Sequence, residues 1–313
     1  MIRFEKNWWA VIIGGSSGFG LAAAKKLAAC GMNLCIVHRD RRSAMKRIEP
    51  EFESIRQSGV EVLTFNLDGL SGDGRSRVLD ELGEKLGDSG GVRLLLHSVA
   101  FGNLKLLGPY PGSSVPGAAR TKVAEDAGLS AQRVDEIISN AFDEGYNAFY
   151  TLVDDASDYS NNQFLGSEDF SRTLHAMGYN IVEWVQDMLG RNLFVGDARV
   201  LGLTSEGNSV AWKGYAAISA AKAVLESVSR AMAVEFAPCG IRSNIIQAGI
   251  TDTPALKAIP GSERIRAQAV LRNPFGRLTT PEDIANVICL LCMDEAAWIN
   301  GALICADGGE RVG

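Results

Sequence analysis

No stretch of this chain reaches the roughly 18–20 consecutive apolar residues that a helical membrane span requires. The apolar segment near the N-terminus, within MIRFEKNWWAVIIGG, is short and lacks a cleavage pattern, so no signal peptide and no membrane association are expected. Positive charge is not in excess either. Lys and Arg number 31 against 37 Asp and Glu, a net charge of −6 at pH 7, which argues against nucleic acid as a general partner. The six cysteines sit mostly inside apolar runs, which suits a reducing, cytoplasmic setting. Cys289 and Cys292 form a CxxC, but within ANVICLLCM and without a second Cys or His pair to complete a metal site. They read as buried small hydrophobes, and no metal is expected. Internal repeats and domain linkers are also missing, so residues 1–313 are read as one domain.

What is present is a globular composition, 46% hydrophobic and 22% charged, in a strict alternation of strand and helix patterns. Residues 9–13, 33–37, 60–67 and 92–97 are short apolar runs that read as buried strands. Between them lie helical patterns: LAAAKKLAAC closed by Gly31, a charged segment over 39–58, and 73–86. The alternation resumes with a helix over 170–189 and strand 198–204, then a long, almost wholly apolar helix over 214–236 and strand 241–247. A helix capped by Thr280-Pro281 and strand 302–306 complete it. The fold class expected is α/β: a doubly wound, Rossmann-type parallel sheet of about seven strands with helices on both faces. An apolar helix over 214–236 would face the core on one side and a second subunit on the other, hence a homo-oligomer, dimer or tetramer.

The rhythm breaks once. Residues 102–168 contain a Pro/Gly/Ser-rich loop (GPYPGSSVPG), a helix expected over 130–144, and an acidic, Asn-rich piece (DDASDYSNNQ). This is too long for an ordinary connection. It reads as an insertion after the fourth strand, serving as a lid, a wall of the substrate pocket or an oligomer arm.

Two sites of chemistry stand out. Gly14, Gly18 and Gly20 lie in the first strand–turn–helix, with Ser16, Ser17 and Phe19 between them. Glycines in that setting let a backbone approach a pyrophosphate, whose charge meets the helix N-terminus. Further along, TSEGNSVAWKGYAAISAAK places Tyr215 seven positions before Lys222, two helical turns, so both are expected on one face of a helix. A nearby ammonium sharpens a phenol as a hydrogen-bond donor.

The spacing G-x3-G-x-G resembles the TGxxxGxG loop of the short-chain dehydrogenase/reductase superfamily, with Ile13 in the threonine position. The resemblance runs through HSVAF after the fourth strand, the Tyr/Lys pair, AGITDT after the sixth and INGALICADGG at the end. Two features are similar to the divergent enoyl-acyl-carrier-protein reductase branch: Tyr-x6-Lys in place of Tyr-x3-Lys, and His97-Ser98-Val99-Ala100-Phe101 where most relatives carry NNAG. The glycine loop, by contrast, follows the main branch.

The resemblance implies hydride transfer from a nicotinamide cofactor. Lys222 would hold the ribose hydroxyls, and Tyr215 the substrate carbonyl oxygen. Ser205, at the end of the fifth strand where the branch usually has an aromatic residue, is a candidate second donor. Ser98, Val99 and Ala100 would line the cofactor. Thr251 would offer its backbone to the carboxamide, and Thr253 would reach the phosphates. Asp68, or Asn66, would meet the adenine. Arg39 stands where NADP-binding relatives place an arginine, and a guanidinium can fork a 2′-phosphate. NADPH is therefore expected over NADH, with Asp40 as the counter-argument. Reduction of the C=C bond of an α,β-unsaturated acyl thioester, carried by acyl-carrier protein or coenzyme A, is the leading expectation. A carbonyl (3-ketoacyl) reductase and a catalytically silent NADP-binding sensor or scaffold are the alternatives.

Overall fold

A computed structural model describes residues 2–109, 115–153 and 164–313. The first half alternates without exception: β1 (Trp8–Ile13), α1 (Gly18–Ala29), β2 (Asn33–His38), α2 (Met45–Arg56), β3 (Val62–Asn66), α3 (Gly72–Leu86), β4 (Gly91–His97). Next come α4 (Val115–Ala127), α5 (Ala131–Asp143), α6 (Ser167–Leu174) and α7 (Asn180–Gly190). The remainder is β5 (Phe194–Ser205), α8 (Ala216–Glu235), β6 (Ile241–Ala248), α9 (Pro254–Lys257), α10 (Ser262–Arg272), α11 (Pro281–Leu291) and β7 (Leu303–Ala306).

The seven strands form one parallel sheet in the order β3-β2-β1-β4-β5-β6-β7, as the alternation predicts. Successive strand residues point to opposite faces, and both faces are covered, so the strands are apolar throughout rather than alternating. Leu94 and Leu96 join Leu27, Phe52 and Ile288 on one face, whereas Leu95 joins Leu82, Trp184 and Leu225 on the other. The strand order reverses between the adjacent strands β1 and β4. That opens a crevice at the carboxyl ends of the strands, where open α/β sheets bind ligands.

Three expectations are corrected. The charged segment from Arg39 is not helical until Met45. The Asn66 side chain takes both the N–H (3.0 Å) and the C=O (3.1 Å) of Asp40, which holds that stretch as a loop beside β3. The Pro/Gly/Ser-rich loop is partly helix: residues 110–114 lie outside the described residues, but Val115 to Gly117 open α4. Proline in a first helical turn sacrifices no intrahelical bond, which is why Pro116 fits there. The helix expected over 170–189 is longer and passes through a π-helical turn, His175–Tyr179, between α6 and α7. The acidic piece 154–163 lies outside the described residues. Other boundaries shift by only a few residues; Thr280 caps α11 as expected, and Ser130 caps α5. Cys289 and Cys292 are fully buried, and no cluster of metal-ligating residues occurs among the described residues.

At the far end from the crevice, charge rather than apolar packing closes the sheet. Asp197 on β5 pairs with Arg93 of β4 (2.7 Å), Arg199 of β5 (2.6 Å) and Arg242 of β6. Arg93 and Arg199, each 1% exposed, also donate to the Cys292 and Leu291 carbonyls, satisfying acceptors that α11 leaves open at its C-terminus. Burial opposes ionisation of Asp197, but hydrogen bonds and charge from Arg199 and Arg93 outweigh it and hold its carboxyl at about 2. The stabilisation is thus complete above the unfolded carboxylate range near 4 and lost as pH falls toward 2. Asp197→Ala leaves buried Arg199 without a carboxylate and Arg93 with Asp294 alone, and should lower unfolding free energy by about 3 kcal/mol in urea melts at neutral pH.

Candidate active site

Two adjoining cavities occupy the crevice. The larger, 760 Å³, runs from the glycine turn to Arg39 and Asp68, past Ser98, Val99 and Ala100. The smaller, 210 Å³, is lined by Ser205, Tyr215, Lys222 and Thr251 and by apolar side chains including Met177, Trp212, Ile218 and Ile259. Phe19, Ser98 and Thr253 line both, so the two form one continuous cleft.

The glycine turn fits a pyrophosphate. Gly14 (φ +87°) lies so close to β4 that a Cβ there would sit 2.2 Å from the Ser98 carbonyl oxygen. Gly20 is equally tight, because its Cβ would fall 2.2 Å from the Gly14 carbonyl oxygen. Gly20 therefore packs helix against turn and does not line the cleft. Gly18 (φ +51°) faces open space apart from Thr253, the room that a phosphate needs. Ser17 caps α1 by its backbone only, so its hydroxyl and the amides of the first turn stay available to an anion. Ser16 and Ser17 both line the larger cavity.

Arg39, Asp40, Arg41 and Asp68 gather at the other end of that cavity. The Asp40 Oδ2 accepts from the buried Nδ1 of its neighbour His38, at 3.0 Å. Asn66 is committed to the Asp40 backbone, so of the two adenine candidates Asp68 lines the cavity and Asn66 does not. Arg39 bonds Asp68 (2.8 Å) and lies 6.0 Å from the Phe101 ring centre.

Tyr215 is not inside the helix, as the spacing had suggested, but is the residue that caps α8. Its ring needs a glycine beside it: a Cβ on Gly207 would lie 2.6 Å from the ring carbon Cε1. Trp212 stacks edge-on from another side, 5.1 Å between ring centres. Burial pushes the phenol's pKa up, so it stays protonated as a donor, and the neighbouring Ser205 hydroxyl opposes the shift. Ser205 Oγ is buried and has no well-aligned partner among the described residues, which leaves it free to bind a ligand.

Lys222, in the second turn of α8, donates to the Leu203 carbonyl (2.8 Å). Burial lowers its pKa to about 8, and Glu226 pulls the other way. Glu226 in turn accepts from Thr204 Oγ1 (3.0 Å) and from Asn208. Thr251 is buried and donates to Gly249 O (3.0 Å), while Thr253 caps α9 through its oxygen and keeps its proton to donate. The cleft thus gathers every catalytic and cofactor candidate except Gly20 and Asn66.

Sequence reasoning passed over Trp212, Met177, Leu104 and Arg41, all of which line the cleft. For Trp212 a signal existed, an aromatic three residues before Tyr215. For Met177 and Leu104 none did, since a cavity wall and a core stripe have the same periodicity.

A parallel sheet, a glycine turn at its switch point, and a buried phenol and amine at the adjoining strand end define a Rossmann-type oxidoreductase of the short-chain dehydrogenase/reductase class. Within it, the chain belongs to the family described as enoyl-(acyl carrier protein) reductase, which matches residues 152–310. The chain is 27% identical over 305 residues to a Bacillus subtilis (strain 168) protein named "Probable 2,4-dienoyl-CoA reductase", covering 96% of this chain and 95% of that one. It is 36% identical over 120 residues to cis-4-hydroxycyclohexanecarboxylate dehydrogenase of Sinomonas cyclohexanicum, and this match spans 45% of that enzyme's length. The solved structure of FabI from Candidatus Liberibacter asiaticus shares the fold at TM-score 0.74 and 18% identity, over 100% of this chain and 98% of that one. The family is one of nicotinamide-dependent reductases.

Because Lys222 carries its charge below about pH 8 and loses it above, cofactor affinity should weaken as pH rises through that value. Titrating reduced-nicotinamide fluorescence at a series of pH values should show the step, and Lys222→Met should abolish it.

Proposed function

We propose that this chain reduces the C=C bond of an α,β-unsaturated acyl thioester with NADPH. The observation that carries the reading is the chemistry of the smaller cavity. Among the described residues its lining holds one charged side chain, Lys222, and one buried phenol, Tyr215, amid otherwise largely apolar walls. Such a pocket suits an acyl chain presented with its carbonyl oxygen toward the phenol. A reduced nicotinamide held in the larger cavity would supply the hydride for the β-carbon. Negative charge then develops on the thioester oxygen as an enolate, and Tyr215 is placed to donate to it. A preorganised donor of this kind contributes about 3 kcal/mol of transition-state stabilisation. The enolate so formed would take a proton at the α-carbon to complete the reduction. Lys222 would hold the ribose hydroxyls from the smaller cavity. The apolar walls exclude water, so the donor acts in a low-dielectric setting.

The cofactor assignment rests on Arg39. Asp40, which would favour NADH, is turned to His38, and Arg39 stands at the cavity's end with Arg41 to meet a 2′-phosphate. Gly14, Ser16, Ser17, Gly18 and Phe19 would cradle the phosphates, and Ser98 to Ala100, Thr251 and Thr253 would flank the nicotinamide half. Residues 102–168 would wall the substrate side, since Gly102 and Leu104 already line the smaller cavity. The carrier would be acyl-carrier protein or coenzyme A, and the setting the cytoplasm. Exposed Val234 on α8, at 76%, supports packing of that helix against a second copy in a dimer or tetramer.

A second reading, carbonyl reduction, is favoured by one observation. Ser205 Oγ, buried beside Tyr215 and unpartnered, would suit a ketone oxygen as a second donor. Turnover of crotonyl-coenzyme A against acetoacetyl-coenzyme A separates the two, and activity on the ketone alone would sink the enoyl reading. Tyr215→Phe should abolish turnover while NADPH still binds. Arg39→Ala should weaken NADPH about tenfold or more and leave NADH affinity unchanged, by fluorescence titration.

A further inference from the structure

Glu206, Arg272 and Glu310 come from three separate parts of the chain. Glu206 directly follows Ser205 and is 7% exposed; Glu310 lies beyond β7 and is 2% exposed; Arg272 ends α10. The Arg272 Nη2 donates to Glu206 Oε1 at 2.5 Å and to Glu310 Oε1 at 3.2 Å. The other oxygen of Glu310 accepts from the Ile250 N–H at 3.1 Å. It is pressed against the chain there, since a Cβ on Gly249 would lie 2.8 Å from it. Gly249, Ile250 and Thr251 all line the smaller cavity. On the Glu206 side, its carbonyl accepts from Ser209 N–H (2.9 Å) and Val210 N–H (2.8 Å), shaping the turn that delivers Trp212 and Tyr215.

None of the three lines either cavity, so none touches what binds there. Two buried carboxylates repel, and the shared guanidinium is what makes their approach tolerable. The same helix α10 is touched by the 3₁₀ turn Asn147–Thr151 of the insertion, so α10 sits between the insertion and the two acids. We infer that Arg272 is a positioning residue of the reaction. Through Glu206 and Glu310 it locks the Ser205–Tyr215 turn against the Gly249–Thr251 turn and fixes α10 beside the apolar cavity. This rests on the reading of that cavity as the substrate site.

Arg272→Met and Arg272→Lys in the full-length, NADPH-bound protein test it, by amide hydrogen exchange and by steady-state kinetics with crotonyl-coenzyme A. Arg272→Met should speed exchange both in residues 206–212 and in residues 250–256. It should lower kcat about 100-fold, the cost of a misplacement of order 1 Å, with NADPH affinity unchanged. A lysine ammonium is a compact charge on a flexible stem and does not hold the two carboxylates in one fixed geometry as the planar guanidinium does. Arg272→Lys should therefore recover the melting temperature without recovering kcat. Faster exchange confined to α10, or kcat restored in step with the melting temperature, overturns the inference. If the wild type fails to reduce crotonyl-coenzyme A, the enoyl reading fails instead. The exchange pattern still decides the role of Arg272: coupled loosening of both turns upholds it, and local loosening refutes it.

Discussion

Two backbones pass each other at the carboxyl edge of the sheet with no room for a side chain between them. Gly14 is bonded to β2 through the Val37 carbonyl (2.8 Å), and Ser98 to β1 through the Ile13 carbonyl (2.8 Å). The Gly14 Cα faces the Ser98 carbonyl so closely that any Cβ would collide with it. Because of that approach, the N-terminus of α1 lies over the point where the strand order reverses. A dinucleotide cleft follows from this geometry: free amides on one side, HSVAF on the other, and an opening toward β5 and β6 between them. A larger residue at position 14 would push the turn away from β4 and close the cleft from within.

The polar groups of the cleft are held in low dielectric by neighbours that do no chemistry. Burial lowers the Lys222 pKa to about 8, and the tether to the Leu203 carbonyl gives its ammonium one orientation. Tyr215 is pressed between Trp212 and the bare backbone of Gly207, which fixes its ring by packing. At the opposite end, Asp197 and its arginines tie three strands to the last turn of α11. Rigidity at one edge and donors facing a cavity at the other are the division of labour that a preorganised site requires.

Much of this was legible in the order of residues. The strand–helix alternation, the glycine turn, Thr280-Pro281 as a cap and the buried CxxC depend on interactions within a few residues, and each appears where its pattern predicts. Tyr215 and Lys222 were legible as a pair, though not the position of the tyrosine ahead of the helix rather than within it. The stretch after Arg39 was misread as helix because its composition is helical, whereas Asn66, from the neighbouring strand, holds its backbone out. Residues 115–117 were misread in the other sense, since glycine and proline mark loops and helix starts alike.

The sequence by itself determined the class: an alternating sheet, a glycine turn at the start of the first helix, and a phenol with an amine two turns away. Periodicity and turn chemistry are local, so they survive in one dimension. Only the tertiary structure decided that Asp40 turns to His38, that Trp212 walls the cavity, and that Arg272 meets carboxylates 66 and 38 positions away. Those contacts exist because the parallel sheet brings the carboxyl ends of distant strands to one edge, and nothing periodic in the chain records which side chains will meet there.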